Sequence, residues 1–244
     1  RIVGQFMTKK HQYLGSELDL FAMAYNWKAY IRHEISHYIR GHVLEVGTGL
    51  GETTKALINS HEDSWTCLEP DRSLAERIAI TLVNNVRDQC DEPRVIVGEI
   101  DHPACNRKYD TILYIDVLEH IENDELELIK AARKLKKNGC LVVLAPAYQF
   151  LYSPFDAKIG HFRRYHRKGL TAIRPADTKL LRVRYLDSVG CLASLGNKII
   201  LRVGIPTRDQ IMMWDRLMVP LSRIFDFVFN YKIGKSIYIV WQRA

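Results

Sequence analysis

The sequence lacks the marks of a disulfide-stabilised or membrane-spanning protein. Its cysteines are odd in number and far apart, with no CxxC pair, which argues against a disulfide framework and a zinc knuckle. No apolar run reaches the roughly 18–20 residues of a membrane-spanning helix; the longest covers residues 139–152. Polar residues at 8–12 interrupt the chain before any apolar stretch of a signal peptide develops. We therefore expect a cytoplasmic protein with reduced thiols at Cys67, Cys90, Cys105, Cys140 and Cys191.

Glutamate is absent from residues 151–244, where 17 Lys and Arg face only 6 Asp. Residues 1–150 are slightly acidic, and the whole chain carries a net charge of +7 at pH 7. A basic C-terminal part suggests an anionic substrate, nucleic acid or an acidic membrane surface, although a solvated basic face is an equal alternative. Nothing in the sequence resembles a nucleic-acid-binding module, so nucleic acid is the least favoured of these partners.

Strand-like and helix-like segments alternate along most of the chain, which indicates an α/β fold with a mostly parallel sheet covered on both faces. With 47% hydrophobic and 26% charged residues, the composition is that of a globular protein. Two helices precede the first strand. Asn138-Gly139 is a good stop signal for the helix predicted over 124–135. A long loop rich in Pro, Gly, aromatic residues and Arg is predicted over 146–168. The predicted strands are 42–46, 65–68, 94–97, 111–115, 141–145, 179–185 and 236–242, and the helices after the first strand are 53–59, 73–86, 124–135, 191–203 and 207–229.

The strongest motif is a glycine turn between the first strand and the next helix, at residues 45–51 (EVGTGLG). Glycines allow a ligand to approach the backbone closely, and the following helix presents free N–H groups. The GxGxG spacing, with an acid two positions earlier, differs from the GxGxxG dinucleotide fingerprint. Taken alone, the motif is also consistent with a tight structural turn.

Acidic residues follow the next three strands, at the sheet edge where open α/β folds bind ligands. Glu69 ends the second strand, where a carboxylate can accept hydrogen bonds from both hydroxyls of a ribose. It can equally cap the following helix, a role that Asp71 would serve as well. Glu99 ends the third strand, and residues 116–121 (DVLEHI) add further acids and a histidine after the fourth.

These motifs together resemble the class I S-adenosylmethionine-dependent methyltransferases, in particular the small-molecule branch of types 11 and 12 related to ubiquinone and polyketide methyltransferases. The resemblance extends over the whole chain and implies a Rossmann-like seven-stranded, mostly parallel sheet. It implies a single domain with an N-terminal helical cap (1–40), a cofactor-binding core (41–150) and an acceptor side (151–244) with a helical insertion before the last strand. The matching segments are 45–51, Glu69, 116–121, 138–145, 153–156 (SPFD), 159–165 (IGHFRRY) and 234–240.

The resemblance also implies a set of cofactor-binding residues. The glycines would line the amino-acid and ribose portion, with Glu45 beneath their turn and oriented toward the amino-acid end through water or backbone. Glu69 would bind the ribose hydroxyls, and Asp116 would lie beside the methionine part. The family more often has Asp where Glu99 stands, next to the adenine. The full set is Trp27, Glu45, Gly47, Thr48, Gly49, Gly51, Glu69, Pro70, Glu99, Ile100, Asp116 and Val117.

A sulfonium methyl group is already activated, so such an enzyme mainly aligns the acceptor in line with the S–CH3 bond and excludes water. A general base is needed only for a protonated acceptor, and an imidazole suits that task near pH 7. His161 lies in the loop where this fold meets its substrate. His120 follows the fourth strand, where it alternatively serves only to orient the loop.

The predicted acceptor site is completed by Tyr152, Arg163, Arg164 and Tyr165. Bidentate contacts from the two arginines would hold a phosphate, sulfate or carboxylate of the acceptor. Alternatively, one arginine pairs with Asp156 and fixes the loop. No trio of His, Asp and Glu has convincing metal-ligand spacing, so chemistry without a metal is expected.

An amphipathic stretch between Ile211 and Val228, with a kink expected at Pro220, would pack in the core, cap the acceptor pocket or form a dimer interface. Together with its neighbouring arginines, this stretch is also consistent with binding at a membrane surface. The sequence as a whole predicts a monomeric or homodimeric enzyme of small-molecule biosynthesis. It would transfer a methyl group from S-adenosylmethionine to O, N or C of a natural-product, lipid or sugar intermediate and release S-adenosylhomocysteine. The alternatives are a non-catalytic regulatory or scaffold protein that binds this cofactor and, disfavoured by the glycine spacing and Glu45, an NAD-dependent oxidoreductase.

Overall fold

A computed structural model describes residues 16–58, 62–83, 93–196 and 206–244. Its centre is a seven-stranded sheet of order β3-β2-β1-β4-β5-β7-β6. Six strands run in the same direction, and β7 runs in the opposite one. The strand order reverses between β1 and β4, and ligands of open α/β sheets bind at such a switch point. The strands are β1 (Gly41–Val46), β2 (Glu62–Glu69), β3 (Arg94–Val97), β4 (Tyr109–Ile115), β5 (Leu135–Pro146), β6 (Thr178–Leu186) and β7 (Ser236–Arg243).

Helices cover both faces of the sheet, as the strand–helix alternation predicted. Side chains alternate between two apolar cores, so that Val142 and Leu144 of β5 pack into one and Leu141 and Val143 into the other. The helices are α1 (Ser16–Ala22), α2 (Tyr25–Ile35), α3 (Glu52–Leu57), α4 (Arg72–Val83), α5 (Asp124–Lys134), α6 (Pro154–Lys158), α7 (Arg167–Ala172), α8 (Ser188–Gly196), α9 (Arg208–Met213) and α10 (Val219–Val228).

The boundary between α5 and β5 differs from the sequence prediction. The helix ends at Lys134, and Leu135 already pairs with Tyr109 of β4. Asn138 has a positive φ of 63°, and the pairing register of the two strands shifts beside it. The Asn138-Gly139 pair therefore belongs to an irregular start of β5 and is no helix stop.

The segment after β5 is more ordered than a long loop. A capping box starts α6, because the Ser153 hydroxyl accepts from the Asp156 N–H while the Asp156 carboxylate accepts from the Ser153 N–H. Helix α7 then begins at Arg167, inside the predicted loop. The sequence missed both helices because each spans less than two turns, too short for a hydrophobic period.

The C-terminal helical stretch supports the N-terminal cap. A π-helical turn (Trp214–Met218) joins α9 to α10 immediately before Pro220, where the sequence predicted a kink. The Asp215 carboxylate in this turn accepts from the N–H groups of Asn26 and Trp27, at 3.2 and 2.9 Å, and so satisfies the start of α2. The outward face of α10 is apolar and exposed, with Phe227 74% accessible.

Several predicted features concern residues that the structure does not describe: Asn59, 84–86 and 197–203 in helices, and Cys90. Among the described residues, no helix combines the length and apolarity needed to cross a membrane. The four described cysteines are buried and form no disulfides.

Candidate active site

A cavity of about 980 Å³ lies at the carboxyl ends of β1, β2 and β4. The glycine turn and Glu69 form one end of its lining, and residues from the loop after β5 form the other. Helices α1, α2, α8 and α9 contribute the remaining wall, which is largely apolar. Ligand cavities of proteins measure roughly 300–1,000 Å³, so this one lies at the upper end of the range.

The glycine turn has a backbone conformation at residue 47 that requires glycine. Gly47 has φ +70°, and a Cβ at this position would lie 2.6 Å from a methyl group of Val117. Its N–H donates to the carbonyl of Leu68, at 2.7 Å. Next to it, the Thr48 side chain is buried, and its hydroxyl has no hydrogen-bond partner. Thr48 lines the cavity, so the turn offers a ligand one unused hydroxyl.

The carboxylate of Glu69 closes the glycine turn. Its Oε2 accepts from the N–H of Gly49 at 2.9 Å, and its Oε1 accepts from the N–H of Asp71 at 3.1 Å. Burial raises the pKa of Glu69, although these two backbone donors oppose the rise. The helix-capping role belongs to Asp71, whose Oδ1 accepts from the N–H groups of Ser73 and Leu74. The helix start thus has its own capping residue, and Glu69 lines the cavity.

Glu45 lies beneath the glycine turn and does not line the cavity. Its carboxylate is buried in the core and accepts from Nε1 of Trp65 at 3.0 Å. Burial raises the pKa of Glu45 to about 7, against smaller opposing effects of the Thr54 hydroxyl and of the hydrogen bond from Trp65. Glu45 thus supports the turn from beneath.

The predicted cofactor residues divide into two groups of six. Val117 packs over Gly47, Gly51 starts α3, Ile100 is buried in the core, and Pro70 and Glu99 are exposed outside the cavity wall. With Glu45, these residues do not line the cavity. The six that do are Trp27, Gly47, Thr48, Gly49, Glu69 and Asp116.

At the opposite end of the cavity, Asp156 organises the loop after β5. Its buried carboxylate lies 2.9 Å from Nδ1 of His161 and makes a bidentate ion pair with Arg164, at 2.8 and 2.9 Å. These partners hold the pKa of Asp156 well below its usual range in spite of its burial. An ionised carboxylate only accepts, so Nδ1 of His161 donates to Asp156 and Nε2 is left for another partner.

The two histidines proposed as bases lie together. The rings of His120 and His161 meet edge to face, with centroids 4.5 Å apart. Nε2 of His161 lies 3.8 Å from a carboxylate oxygen of Glu119, and the N–H of Phe162 donates to the Glu119 carbonyl at 2.8 Å. The segment after β4 is therefore joined to the loop after β5 at this point.

Acids and bases share this end of the cavity. Removal from bulk water raises the pKa of Asp116 to about 6, against the influence of His161, Lys235 and Arg164. Lys235 places its ammonium group 5.2 Å from the ring centroid of Trp214, and burial lowers its pKa. Lys235, Trp214 and Glu119 line the cavity and had no role in the sequence analysis.

The other predicted acceptor residues mainly stabilise the loop. Arg163 pairs with Asp124 at 2.8 Å and donates to the carbonyl of Glu122, and the Tyr165 hydroxyl donates to the same Asp124 carboxylate at 2.8 Å. Neither Arg163 nor Tyr165 lines the cavity, whereas Tyr152 does. The hydroxyl of Tyr152 donates to the His161 carbonyl at 2.6 Å. These contacts favour the alternative in which the arginines fix the loop.

Part of the sequence matches a known domain family, and the fold is similar to that of solved structures. The family model described as "Methyltransferase domain" matches residues 44–142. Among curated proteins, none matches this sequence significantly. A solved S-adenosylmethionine-dependent methyltransferase from Clostridium acetobutylicum is similar in fold, with a TM-score of 0.57 and 11% identity, over 90% of this chain and 91% of that one.

Two further solved structures show how widely this fold is used. Coclaurine N-methyltransferase bound to N-methylheliamine and SAH gives a TM-score of 0.58 at 16% identity, over 98% of this chain and 76% of that one. The [4+2]-cyclase SpnF gives a TM-score of 0.61 at 13% identity, over 100% and 99%. The methyltransferase-domain model thus covers the segment from β1 to β5, and the chain shares the fold of these solved structures.

Proposed function

We propose that this protein transfers a methyl group from S-adenosylmethionine to a small-molecule acceptor. The observation that carries the proposal is one continuous cavity, with the Thr48–Glu69 arrangement at one end and His161, held by Asp156, at the other. Such a cavity has room for a cofactor and a second molecule together. The fold by itself does not settle the reaction, because a cyclase also has it.

The residues of the glycine turn fit S-adenosylmethionine. The unpartnered Thr48 hydroxyl and the bare backbone of Gly49, both in the cavity lining, suit its amino-acid and ribose portions. The carboxylate of Glu69 keeps acceptor positions for ribose hydroxyls, because each of its oxygens uses one backbone donor. When bound, the sulfonium supplies an activated methyl group, and the cavity walls would exclude water from it.

The acceptor would bind at the end of the cavity formed by residues after 146. Nε2 of His161 would take the acceptor proton where one must leave, with His120 beside it as the second candidate. The arginines are engaged with Asp124 and Asp156, and the Lys28 ammonium group donates to backbone carbonyls. Lys235 is therefore the lysine lining the cavity that would meet an anionic group. We place this activity in cytoplasmic small-molecule biosynthesis, with α1 and α2 covering the cofactor.

Calorimetric titration with S-adenosylmethionine and S-adenosylhomocysteine tests the proposal on wild type, Glu69→Ala and Asp63→Asn. Asp63 is exposed near the far end of the same strand and serves as the matched control. Micromolar binding, about −8 kcal/mol, is expected for wild type and the control, with a loss of at least tenfold in Glu69→Ala. No binding to wild type, or binding of NAD in its place, would overturn it.

A non-catalytic role for the same cavity predicts a different result. Cofactor would bind and depend on Glu69, yet no methyl group would appear in any acceptor. Incubation with methyl-labelled S-adenosylmethionine and a metabolite extract separates the two readings. Label transfer that is lost in His161→Ala, but retained in the exposed-loop variant His166→Asn, would establish the enzyme.

A further inference from the structure

We infer that Glu119, His120 and His161 form a binding site for a divalent transition-metal ion at the acceptor end of the cavity. Each residue offers one ligand atom, and these atoms all lie within 4.8 Å of one another. Metal–ligand bonds of about 2.1 Å place two ligands on one ion at most about 4.2 Å apart. Small side-chain rotations would therefore bring the three atoms onto a single ion. The sequence spacing did not indicate this site, because the donors come from two separate segments.

The backbone already holds those two segments together. The 3-10 turn after β4 (Leu118–His120) carries Glu119 and His120, and the N–H of Phe162 donates to the Glu119 carbonyl. His161 is thus fixed opposite the turn before any ion binds. Preformed geometry of this kind lowers the ordering cost of binding.

The Glu119 carboxylate lacks the partner that its burial demands. The residue is 1% exposed, lines the cavity, and its Oε2 atom has no hydrogen-bond partner. A divalent cation would supply the missing compensation, since buried charges are normally paired or bound to a metal.

Asp156 provides a second argument, independent of the first. Metal-binding histidines usually donate their other ring N–H to a carboxylate, which fixes the tautomer and makes the ligand more basic. Asp156 makes this contact with Nδ1 of His161 and leaves Nε2 directed toward Glu119. The chain therefore contains the supporting carboxylate as well as the ligands.

Two imidazoles and one carboxylate favour Zn²⁺, Fe²⁺, Co²⁺ or Mn²⁺ and leave coordination positions open toward the cavity. Resting on the proposed function, we assign these positions to an oxygen of the acceptor. A hydroxyl bound there would lose its proton to solvent more readily, as bound water does. The oxygen would then form the O–CH3 bond while the S–CH3 bond breaks and its electron pair returns to sulfur. When the ion is bound, Nε2 of His161 is a metal ligand and no longer serves as the base. The ion then activates the acceptor.

Metal binding can be measured without cofactor or acceptor, on tag-free protein freed of metal with a chelator. Titration with Zn²⁺ and with Co²⁺, followed by calorimetry and by the visible bands of Co²⁺, should give one ion per chain. Glu119→Gln and His120→Ala should each weaken binding at least 100-fold, and Asp156→Asn 10- to 100-fold. The exposed variant His166→Asn should bind as wild type does.

Two results would overturn this inference: absence of a bound ion, or binding that is equal in wild type, Glu119→Gln and His120→Ala. The latter would indicate an adventitious ion only. Calorimetry with S-adenosylmethionine on the metal-free protein separates this outcome from failure of the proposed function. Cofactor binding without metal binding would support the methyltransferase proposal and overturn the metal site. Metal binding without cofactor binding would support the metal site and overturn the methyltransferase proposal.

Discussion

Nδ1 of His161 donates to Oδ1 of Asp156 over 2.9 Å, and the same carboxylate is clamped by the guanidinium of Arg164. The ion pair fixes the acid, the acid fixes the histidine, and the histidine faces the cavity. Every group in this chain of contacts comes from residues 156–164. Arg164, which the sequence suggested as part of an anion site, thus helps to orient the imidazole of His161 through Asp156.

Asp156→Asn is expected to reverse the tautomer of His161. An amide N–H in place of the carboxylate would donate to Nδ1, so the proton moves to Nε2 and the lone pair facing the cavity is lost. Nitrogen-15 NMR of the ring should show this exchange at neutral pH. Alanine at the same position should give a mixture of tautomers, and retention of the wild-type spectrum in Asp156→Asn would contradict the prediction.

Asp156→Asn should also change how the free energy of unfolding depends on pH. The folded-state pKa of Asp156 lies below its unfolded value of about 3.9, so its contribution is present above pH 4 and falls away below it. Urea unfolding between pH 3 and 7 should show a smaller acid-induced loss in Asp156→Asn than in wild type. An identical loss in both proteins would mean that the ion pair adds nothing to stability.

Glu45 should have the opposite pH dependence. Its folded-state pKa of about 7 lies above the ordinary value of 4.5, so its contribution is present below pH 4.5 and is lost as pH rises through 7. Glu45→Gln should therefore gain stability relative to wild type between pH 5 and 8, by at most about 3 kcal/mol. Urea unfolding at both pH values measures this difference. The exposed substitution Glu99→Gln should show no such gain.

Thr48→Val separates binding from folding. The hydroxyl is buried without a partner, so its removal should leave the free energy of unfolding unchanged or raise it by up to about 1 kcal/mol. Affinity for S-adenosylmethionine should nevertheless fall about 3- to 10-fold, because the hydroxyl would bond to the ligand. Thr48→Ser keeps the hydroxyl and should bind normally. Equal affinity in all three proteins would remove Thr48 from the site.

The sequence predicted the sheet and the glycine turn because both depend on local patterns. Strand–helix alternation determines which edge of the sheet gathers the strand ends, and that placed Gly47, Glu69 and Asp116 correctly around one cavity. The contact of Glu45 with Trp65 was not predicted, because Trp65 lies on the neighbouring strand. A side chain at a strand end points to one face or the other, and only the packed sheet decides which.

The acceptor end was less predictable because its contacts join distant segments. His120 and His161 were both proposed as bases, yet their contact and the role of Glu119 depend on how the loop after β5 folds over the turn after β4. The motif DVLEHI contained Glu119 without indicating a function for it. A buried acid inside a motif at the end of a strand is the signal that would have found it.

Arg163 tests the corrected view of the loop. Its guanidinium pairs with Asp124 and with the carbonyl of Glu122, outside the cavity, so Arg163→Ala should cost about 1 kcal/mol of stability. The acceptor KM and the affinity for S-adenosylmethionine should stay within twofold of wild type. Lys235→Ala, which removes a cation from the cavity wall, should raise the KM of an anionic acceptor. A large KM increase in Arg163→Ala with unchanged unfolding would restore the arginine to the acceptor site, and the loop would then have to open toward the cavity to bind.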